Sequence, residues 1–360
     1  MMSQIRIKRI GKMGVVMTAS VIILSLILPS ISVDAKEELS IGVIVLGHGD
    51  PTPGWAESIV ELTEKADLDY PTEVAFLEMV PEYTLEQAIE NLEEEGINTI
   101  IVVPLLISSH HSHGYEMEYL LGLRGGISSK IIEPIETDCN IVLTEGMNGH
   151  DLIGELLIER AVELSSSPSD EIVVFEVHGA DLGWEEFRKD MESLCDFVRI
   201  NGGFKDVQYG VLSPTFNMSS AVWDAKRGGD VIVIPLVLAE GMYSNMLFPL
   251  LSILGVVGIG VLIKPVSVLI SFIWQLIPEV MLDPILMVAM EISDTMMEKM
   301  MGGGGSMGKM MKSLSGILLG PLEKLGIRYT TEGLVPHPKI TEWIWETVDD
   351  AVAKISLEVK

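Results

Sequence analysis

One apolar motif occurs twice in this chain, and its repetition limits the fold more than any other feature. Ile41–Leu46 is a β-branched run that leads into Gly47 and His48, and Ile172–Val177 leads directly into His178. The two histidines are 130 residues apart. Short apolar runs of this kind are typical of strands that are buried on both faces of a parallel sheet. The repeat therefore predicts two such sheets.

Two further motifs recur in the same order. Ile100–Leu105 is matched by Val231–Leu236 at a distance of 131 residues, and Thr144–Gly146 is matched by Thr331–Gly333 at 187. Ordered matches at nearly equal distances indicate an internal duplication. The last distance is larger by about 56 residues, so the second copy carries an insertion of roughly that length. We expect the copies to face each other across a cleft with a pseudo-twofold axis.

Predicted helices lie between the predicted strands. The segments 55–68 and 84–96 have helical patterns, whereas 73–79 and 98–106 are strand-like. Alternation of this kind is typical of βαβ units with a parallel sheet. The expected fold class is α/β, with two flavodoxin-like parallel-sheet units related by duplication and a helical hydrophobic insertion in the second.

The first 35 residues have the pattern of an export signal. Basic residues between Arg6 and Lys12 precede an uncharged run of 21 residues, 13–33, and a Val-Asp-Ala cleavage motif occupies 33–35. Because ~20 apolar residues span a bilayer, an uncleaved anchor stays an alternative. Either outcome predicts an exported chain that is extracytoplasmic or membrane-anchored.

The remaining chain divides into a first unit, 36–168, and a second unit, 169–360. The whole chain of 360 residues has a net charge of -28, which argues against nucleic acid as a partner, because phosphate binding needs clustered Lys and Arg. The acidic surface either attracts cations or is simply solvated. Cys139 and Cys195 are the two cysteines, so no disulfide framework holds the fold, although one bridge stays open.

The predicted insertion, about 246–320, has its own composition. It begins with an uncharged stretch, is interrupted by Lys264 and Pro265, and holds ten of the 21 methionines between 281 and 311. Three structures stay open, namely a membrane-apposed lid, a single span and a buried helical hairpin. Contact with a membrane is expected in the first two. Methionine also binds soft metals, although packing of a helical pair is the simpler explanation.

Five of the seven histidines follow predicted strands: His48, His110, His111, His113 and His178. The carboxyl ends of parallel strands meet at one edge of a sheet, where α/β proteins bind ligands. Imidazole suits divalent Co, Ni, Fe and Zn, and Glu116 nearby supplies an oxygen or accepts a proton. The second unit has Gly241–Ser244 where the first has the histidine cluster. We therefore expect an asymmetric site.

Four motifs resemble the sirohydrochlorin chelatases that insert cobalt or nickel. They are the strand that ends in His48, the segment Ala75–Glu78, the run Val102–His110, and Gly146 with His150. The resemblance covers nearly all of 40–165 and, more weakly, 170–245 and 326–356.

The resemblance implies a function in the synthesis of cobalamin or a related tetrapyrrole. A tetrapyrrole would bind in the cleft while histidines present a divalent metal, Co²⁺ or Ni²⁺ with Fe²⁺ as a further option. His48 matches the first histidine of the family, the second is His110 or His113, and His178 takes the first position in the other copy. The expected catalytic residues are His48, His110, His113 and Glu116, and the expected metal ligands are His48, His110, His111, His113 and His178. A carrier that binds metal or tetrapyrrole without turnover, at the membrane surface, is the alternative.

Overall fold

The computed structural model describes residues 39–125, 133–240 and 319–358, except Pro51, Pro53, Phe216 and Pro321, together with 244, 248, 249 and 252. The predicted export signal and nearly all of the predicted insertion lie outside these residues. The domain boundaries that rest on these two segments stay predictions.

Within the described residues, eight strands form two sheets, and all of their pairings are parallel. The first sheet has the order β2-β1-β3-β4 and the second has the order β6-β5-β7-β8. Both sheets thus place the first strand of a unit beside its second and third, as the duplication predicts. The strands are β1 Ile41–Gly47, β2 Thr72–Phe76, β3 Thr99–Pro104, β4 Asn140–Leu143, β5 Glu171–Gly179, β6 Asp206–Ser213, β7 Asp230–Leu236 and β8 Ile327–Tyr329.

Helices connect these strands and agree with the predicted segments to within a few residues. The second helix, for example, begins after Thr84, whose hydroxyl accepts a hydrogen bond from the Gln87 amide, a cap of about 1 kcal/mol. The α-helices are α1 Trp55–Ala66, α2 Leu85–Glu94, α3 Ser112–Leu120, α4 Asp151–Leu164, α5 Trp184–Gly202, α6 Met218–Gly228 and α7 Pro338–Glu358.

Alternate residues of each strand enter different cores. Val43 and Val45 of β1 point into one central core, which also contains Phe175 of β5 and Trp343 of α7. Ile44, the residue between the two valines, belongs to a separate core on the other face of the first sheet. Both faces of each sheet are therefore covered, which explains why the strands have continuous apolar runs instead of an alternating pattern.

The last helix of each half packs against the other half. Helix α4 contacts α5 and β7 of the second half, and α7 contacts α1 and β3 of the first. Two matching histidine–glutamate contacts join the starts of α4 and α7 to the opposite helix, because His150 lies 3.8 Å from Glu346 and His337 lies 3.3 Å from Glu159. Each member of one pair is 187 residues from its counterpart in the other. This reciprocity is the pseudo-twofold relation that the repeats predicted.

The described helices include none that is both long enough and apolar enough to cross a membrane.

Candidate active site

Two strand ends and one helix start bring histidines of both halves together. Strand β1 ends at Gly47, immediately before His48, and His178 is the penultimate residue of β5. His113 lies in the first turn of α3, and its ring centroid is 3.8 Å from that of His48. Both His48 and His113 are close enough to His178 to affect its titration. The cluster therefore forms at the sheet edge that the sequence predicted.

The backbone after β1 places a carboxylate beside His48. Gly49 has a φ of 108°, and a Cβ atom there would lie 1.8 Å from the carbonyl oxygen of Glu78. Only glycine fits so close an approach. The Glu78 amide donates to the His48 carbonyl at 3.0 Å, and the Glu78 Oε1 atom lies 2.9 Å from His48 Nε2. Glu78 is the last residue of the motif Ala75–Glu78, and it is thus a neighbour of His48 that was not among the expected site residues.

The second ring nitrogen of His48 determines what Nε2 can do. His48 Nδ1 lies 2.8 Å from the carbonyl oxygen of Gly49. A carbonyl oxygen only accepts, so Nδ1 carries the hydrogen, and Nε2 of the neutral ring has a free lone pair. Nε2 is buried and makes no hydrogen bond, although it lies 2.9 Å from Glu78 Oε1. A lone pair that faces a carboxylate oxygen is suited to a cation.

His113 has a similar environment. Its Nδ1 is buried without a hydrogen bond and lies 3.6 Å from the Oε2 atom of Glu116, one turn further along α3. Residues three apart lie on the same face of a helix, so the spacing keeps this pair together. The predicted residues His48, His113 and Glu116 are therefore brought to one place, and His113 is the histidine of the loop that stands against His48.

His111 is adjacent to these residues but has a structural task. It caps α3, because its Nδ1 accepts a hydrogen bond from the His113 amide at 3.1 Å. Burial, and repulsion from His113, His178 and His48, lower the pKa of His111 to about 4. The neutral ring then carries its hydrogen on Nε2, so neither nitrogen has a free lone pair. Its assignment as a metal ligand stays a prediction.

His178 joins the cluster from the second half. His178 is an exposed residue, yet the protein around the ring lowers its pKa by desolvation, and His113 and His48 lower it further. Asp181 acts in the opposite direction and raises the pKa of both His178 and His111. A histidine that is kept neutral is a competent metal ligand. Asp181 was also not selected from the sequence, although it follows the second His-Gly motif by two residues.

His110 is directed elsewhere. Its Nε2 lies 4.0 Å from the Oδ2 atom of Asp190 in α5, and its amide donates to the Ser108 hydroxyl at 3.2 Å. The structure therefore separates His110 from the pair formed by His48 and His113. Among the described residues, no group of three or more His, Cys, Asp or Glu side chains is already arranged around a metal position. The metal-ligand assignments accordingly stay predictions.

Glu78 had a signal in the sequence. It follows β2 by two residues, and β2 pairs with β1 in parallel register from Thr72 to Phe76. Polar residues just after neighbouring parallel strands meet at the same edge. The same argument that selected His48 therefore applies to Glu78.

Comparison with known proteins identifies relatives of this chain. The sequence profile described as CbiX matches residues 42–164. The sirohydrochlorin cobaltochelatase of Saccharolobus islandicus is 30% identical over 124 residues, which are 34% of this chain and 94% of that protein. The chain is a member of the CbiX family.

Longer alignments extend beyond the first half. The sirohydrochlorin ferrochelatase of Priestia megaterium is 26% identical over 211 residues, 56% of this chain and 75% of that protein. SirB from Bacillus subtilis with Fe3+ aligns over 58% of this chain and 81% of its own, with a TM-score of 0.46 and 18% identity. The CbiX profile itself covers the half that contains His48, Glu78 and His113.

Proposed function

We propose that this chain inserts a divalent metal ion into a sirohydrochlorin-type tetrapyrrole. One observation carries the proposal, namely that His48 Nε2 is buried 2.9 Å from Glu78 Oε1 without a hydrogen bond, next to the His113 ring. With His48 neutral, two acceptors face each other here, and a cation between them, either a proton or a metal ion, removes their repulsion. Membership of the CbiX family supports the same reaction.

The chemistry requires a ligand for the metal and an acceptor for protons. Insertion replaces the N–H bonds of two pyrroles by bonds to the metal and releases two protons. Neutral His48 and His113 would present the metal to one face of the macrocycle, and His178 approaches from the other half. Glu78 and Glu116 lie beside these imidazoles and would accept the protons as general bases.

The metal is a substrate in this reaction, and its identity is part of the proposal. Relatives are described as a cobaltochelatase and a ferrochelatase, which supports Co²⁺ and Fe²⁺. Imidazole and carboxylate ligands also suit Ni²⁺, and we include it as the third candidate.

Spectroscopy of the purified protein tests the proposal. The full chain is incubated with sirohydrochlorin and Co²⁺, Fe²⁺ or Ni²⁺ in separate reactions, and the absorption bands of the macrocycle are followed against a reaction without protein. We expect faster insertion of at least one metal. Binding of the metal or macrocycle without acceleration would contradict the enzyme and favour a carrier.

We further propose that the chain is exported, on the basis of its basic and apolar first 35 residues. Amino-terminal sequencing of the mature protein should begin at Lys36 if the signal is cleaved. An intact Met1 in a membrane fraction would indicate the anchor. An intact Met1 in a cytosolic fraction would contradict export. We propose membrane contact through 246–320 only if the chain is exported.

A further inference from the structure

The loop that carries the site histidines belongs to the first half but is held by the second. Ser108 is fully buried, and its hydroxyl donates to the Oδ2 atom of Asp190 at 2.7 Å. The same hydroxyl accepts a hydrogen bond from the His110 amide at 3.2 Å. Asp190 therefore determines, through one hydroxyl group, how the chain leaves β3 and turns toward α3.

A second carboxylate, Asp181, lies nine residues before Asp190 and holds the other end of the loop. Asp181 Oδ1 accepts hydrogen bonds from the amides of Ser112, at 3.1 Å, and Leu182, at 3.0 Å. Ser112 is the first residue of α3, so a negative charge there also interacts favourably with the helix dipole. Burial alone would raise the pKa of Asp181, but these hydrogen bonds lower it, which keeps the group ionised.

Between the two carboxylates the halves touch closely. Gly183 has a φ of 64°, and a Cβ atom there would lie 2.8 Å from the carbonyl oxygen of His110 and 3.0 Å from the Tyr115 hydroxyl. A larger residue would push the loop away. Residues 181–190 thus contact the start, the middle and the end of the segment 108–115.

These acidic residues do not recur at the same distances from His48. They stand three and twelve residues after His178, whereas the same distances after His48 lead to Pro51 and Val60. The second half has also lost the histidine cluster of its own, since Gly241–Ser244 replaces it. The first half therefore supplies the loop with His113, and the second half supplies the carboxylates that hold this loop, in addition to His178.

We propose that Asp190 and Asp181 are positioning residues that hold the segment 108–112, so that His113 stands against His48. The inference rests on the proposed function, and it assigns the second half a task in the same reaction. The histidine loop would lose its fixed orientation without these two carboxylates, although every histidine would still be present.

The test compares Co²⁺ binding by variants of the full chain. Asp190→Ala and Asp181→Ala together should weaken Co²⁺ affinity about 10–100-fold, the usual effect of losing groups that orient metal ligands. The visible absorption of bound Co²⁺ should also change, because it reports ligand geometry. Asp190→Asn should recover most of the affinity, since its amide oxygen still accepts from Ser108.

A second variant approaches the same contact from the other side. Ser108→Ala removes the hydroxyl with little change in volume and should weaken Co²⁺ affinity as much as Asp190→Ala. The double variant should be no worse than either, because the residues act through one interaction. Asp170→Ala is the matched control, as it breaks a 2.8 Å hydrogen bond from Ser167 at the opposite end of β5. It should leave Co²⁺ binding unchanged.

The outcomes separate the two proposals. Suppose that the wild type inserts metal and that Asp190→Ala, Asp181→Ala and Ser108→Ala bind Co²⁺ with the affinity and the spectrum of the wild type. This result would overturn the positioning role and leave the proposed function intact. Lower melting temperatures with unchanged Co²⁺ affinity would do the same, since they indicate a purely structural contact. A wild type that neither binds nor inserts any metal removes the proposed function, and the positioning role with it.

Discussion

The two halves have the same scaffold and different chemistry. Gly49 and Gly179 both adopt positive φ, and a Cβ atom on either would lie 1.8 Å from a carbonyl oxygen of the neighbouring strand's end. In the first half this oxygen belongs to Glu78, whose carboxylate lies beside His48. In the second half it belongs to Ser213, which has no carboxylate to offer His178. The fold therefore gives both halves the same backbone conformation after the first strand, whereas single side chains decide whether a carboxylate lies beside the histidine.

The interiors differ as well. Leu46 of β1 is part of an apolar core, whereas Glu176 stands at the equivalent place in β5 and is fully buried. The Ser252 hydroxyl donates to Glu176 Oε1, and Tyr329 also interacts with this carboxyl group. The core of the second half thus contains a polar side chain, and this side chain contacts Ser252, which lies in the predicted insertion.

The largest expected effect tests the assignment of the reactive groups to the first half. His48→Ala should abolish measurable metal insertion and weaken Co²⁺ binding about 100-fold or more, because it removes the free lone pair at Nε2. His178→Ala should weaken Co²⁺ binding less, by about tenfold. Calorimetric titration of both variants measures this, with circular dichroism as the control for folding. Equal losses would show that the halves share the site evenly.

Glu78 and Ser213 provide the next comparison. Glu78→Gln keeps the shape of the side chain but removes the proton acceptor, so the insertion rate should fall about 10–100-fold at saturating metal. Ser213→Ala, the matched change in the second half, should leave the rate within about twofold. Steady-state kinetics of the two variants decide the point. A slow Ser213→Ala enzyme would mean that the second half takes part in the chemistry.

Glu176 predicts a pH dependence that its apolar counterpart Leu46 cannot have. Burial raises its pKa from 4.5 to about 8, and hydrogen bonds with Ser252 and Tyr329 only partly offset this. Because the folded protein holds this proton more tightly than the unfolded chain, the stabilisation is complete below about pH 4.5 and is lost as the pH rises to about 8. From pH 6 to 8 the unfolding free energy of wild type should fall by about 2 kcal/mol more than that of Glu176→Gln.

Denaturant titrations at several pH values measure this difference. Glu171, five residues earlier in β5, provides the control. Burial would raise its pKa, but hydrogen bonds from Ser165, Ser166 and Arg328 lower it to about 2. Glu171→Gln should therefore have the same slope as wild type between pH 6 and 8. A Glu176→Gln curve parallel to wild type would mean that Glu176 is ionised in the folded protein.

The smallest effect tests the symmetry of the scaffold. His150 caps α4 through the Leu152 amide, and His337 accepts from the Lys339 amide at the start of α7. Each change to alanine should lower the unfolding free energy by about 1 kcal/mol, and each change to asparagine should restore most of it. Chemical denaturation compares the four variants. Unequal losses of unfolding free energy at the two caps would contradict a pseudo-twofold relation between these helix starts.

The strands and most helices were predictable because their patterns are local. A run such as Ile41–Leu46 is apolar at every position, which indicates a strand buried on both faces without knowledge of its partners. The repeat distances then indicated two sheets, and the strand ends placed His48 and His178 at equivalent edges. Glu78 was accessible to the same argument. The predicted strand 73–79 was too long, since β2 ends at Phe76 and the chain then turns to bring Glu78 to His48.

The sequence by itself determined the α/β fold class and the sheet edge where the histidines collect, and it indicated the duplication. Only the tertiary structure decided which of them stand together. His110, His111 and His113 have the same chemistry within four positions, and their directions depend on a turn that Asp190 and Asp181 hold from another part of the chain. The sequence also did not show that α4 and α7 each pack against the opposite half, because this packing again depends on contacts between distant parts of the chain. Strand patterns follow from neighbouring residues, whereas a loop conformation and a helix partner are chosen by contacts between residues far apart in sequence.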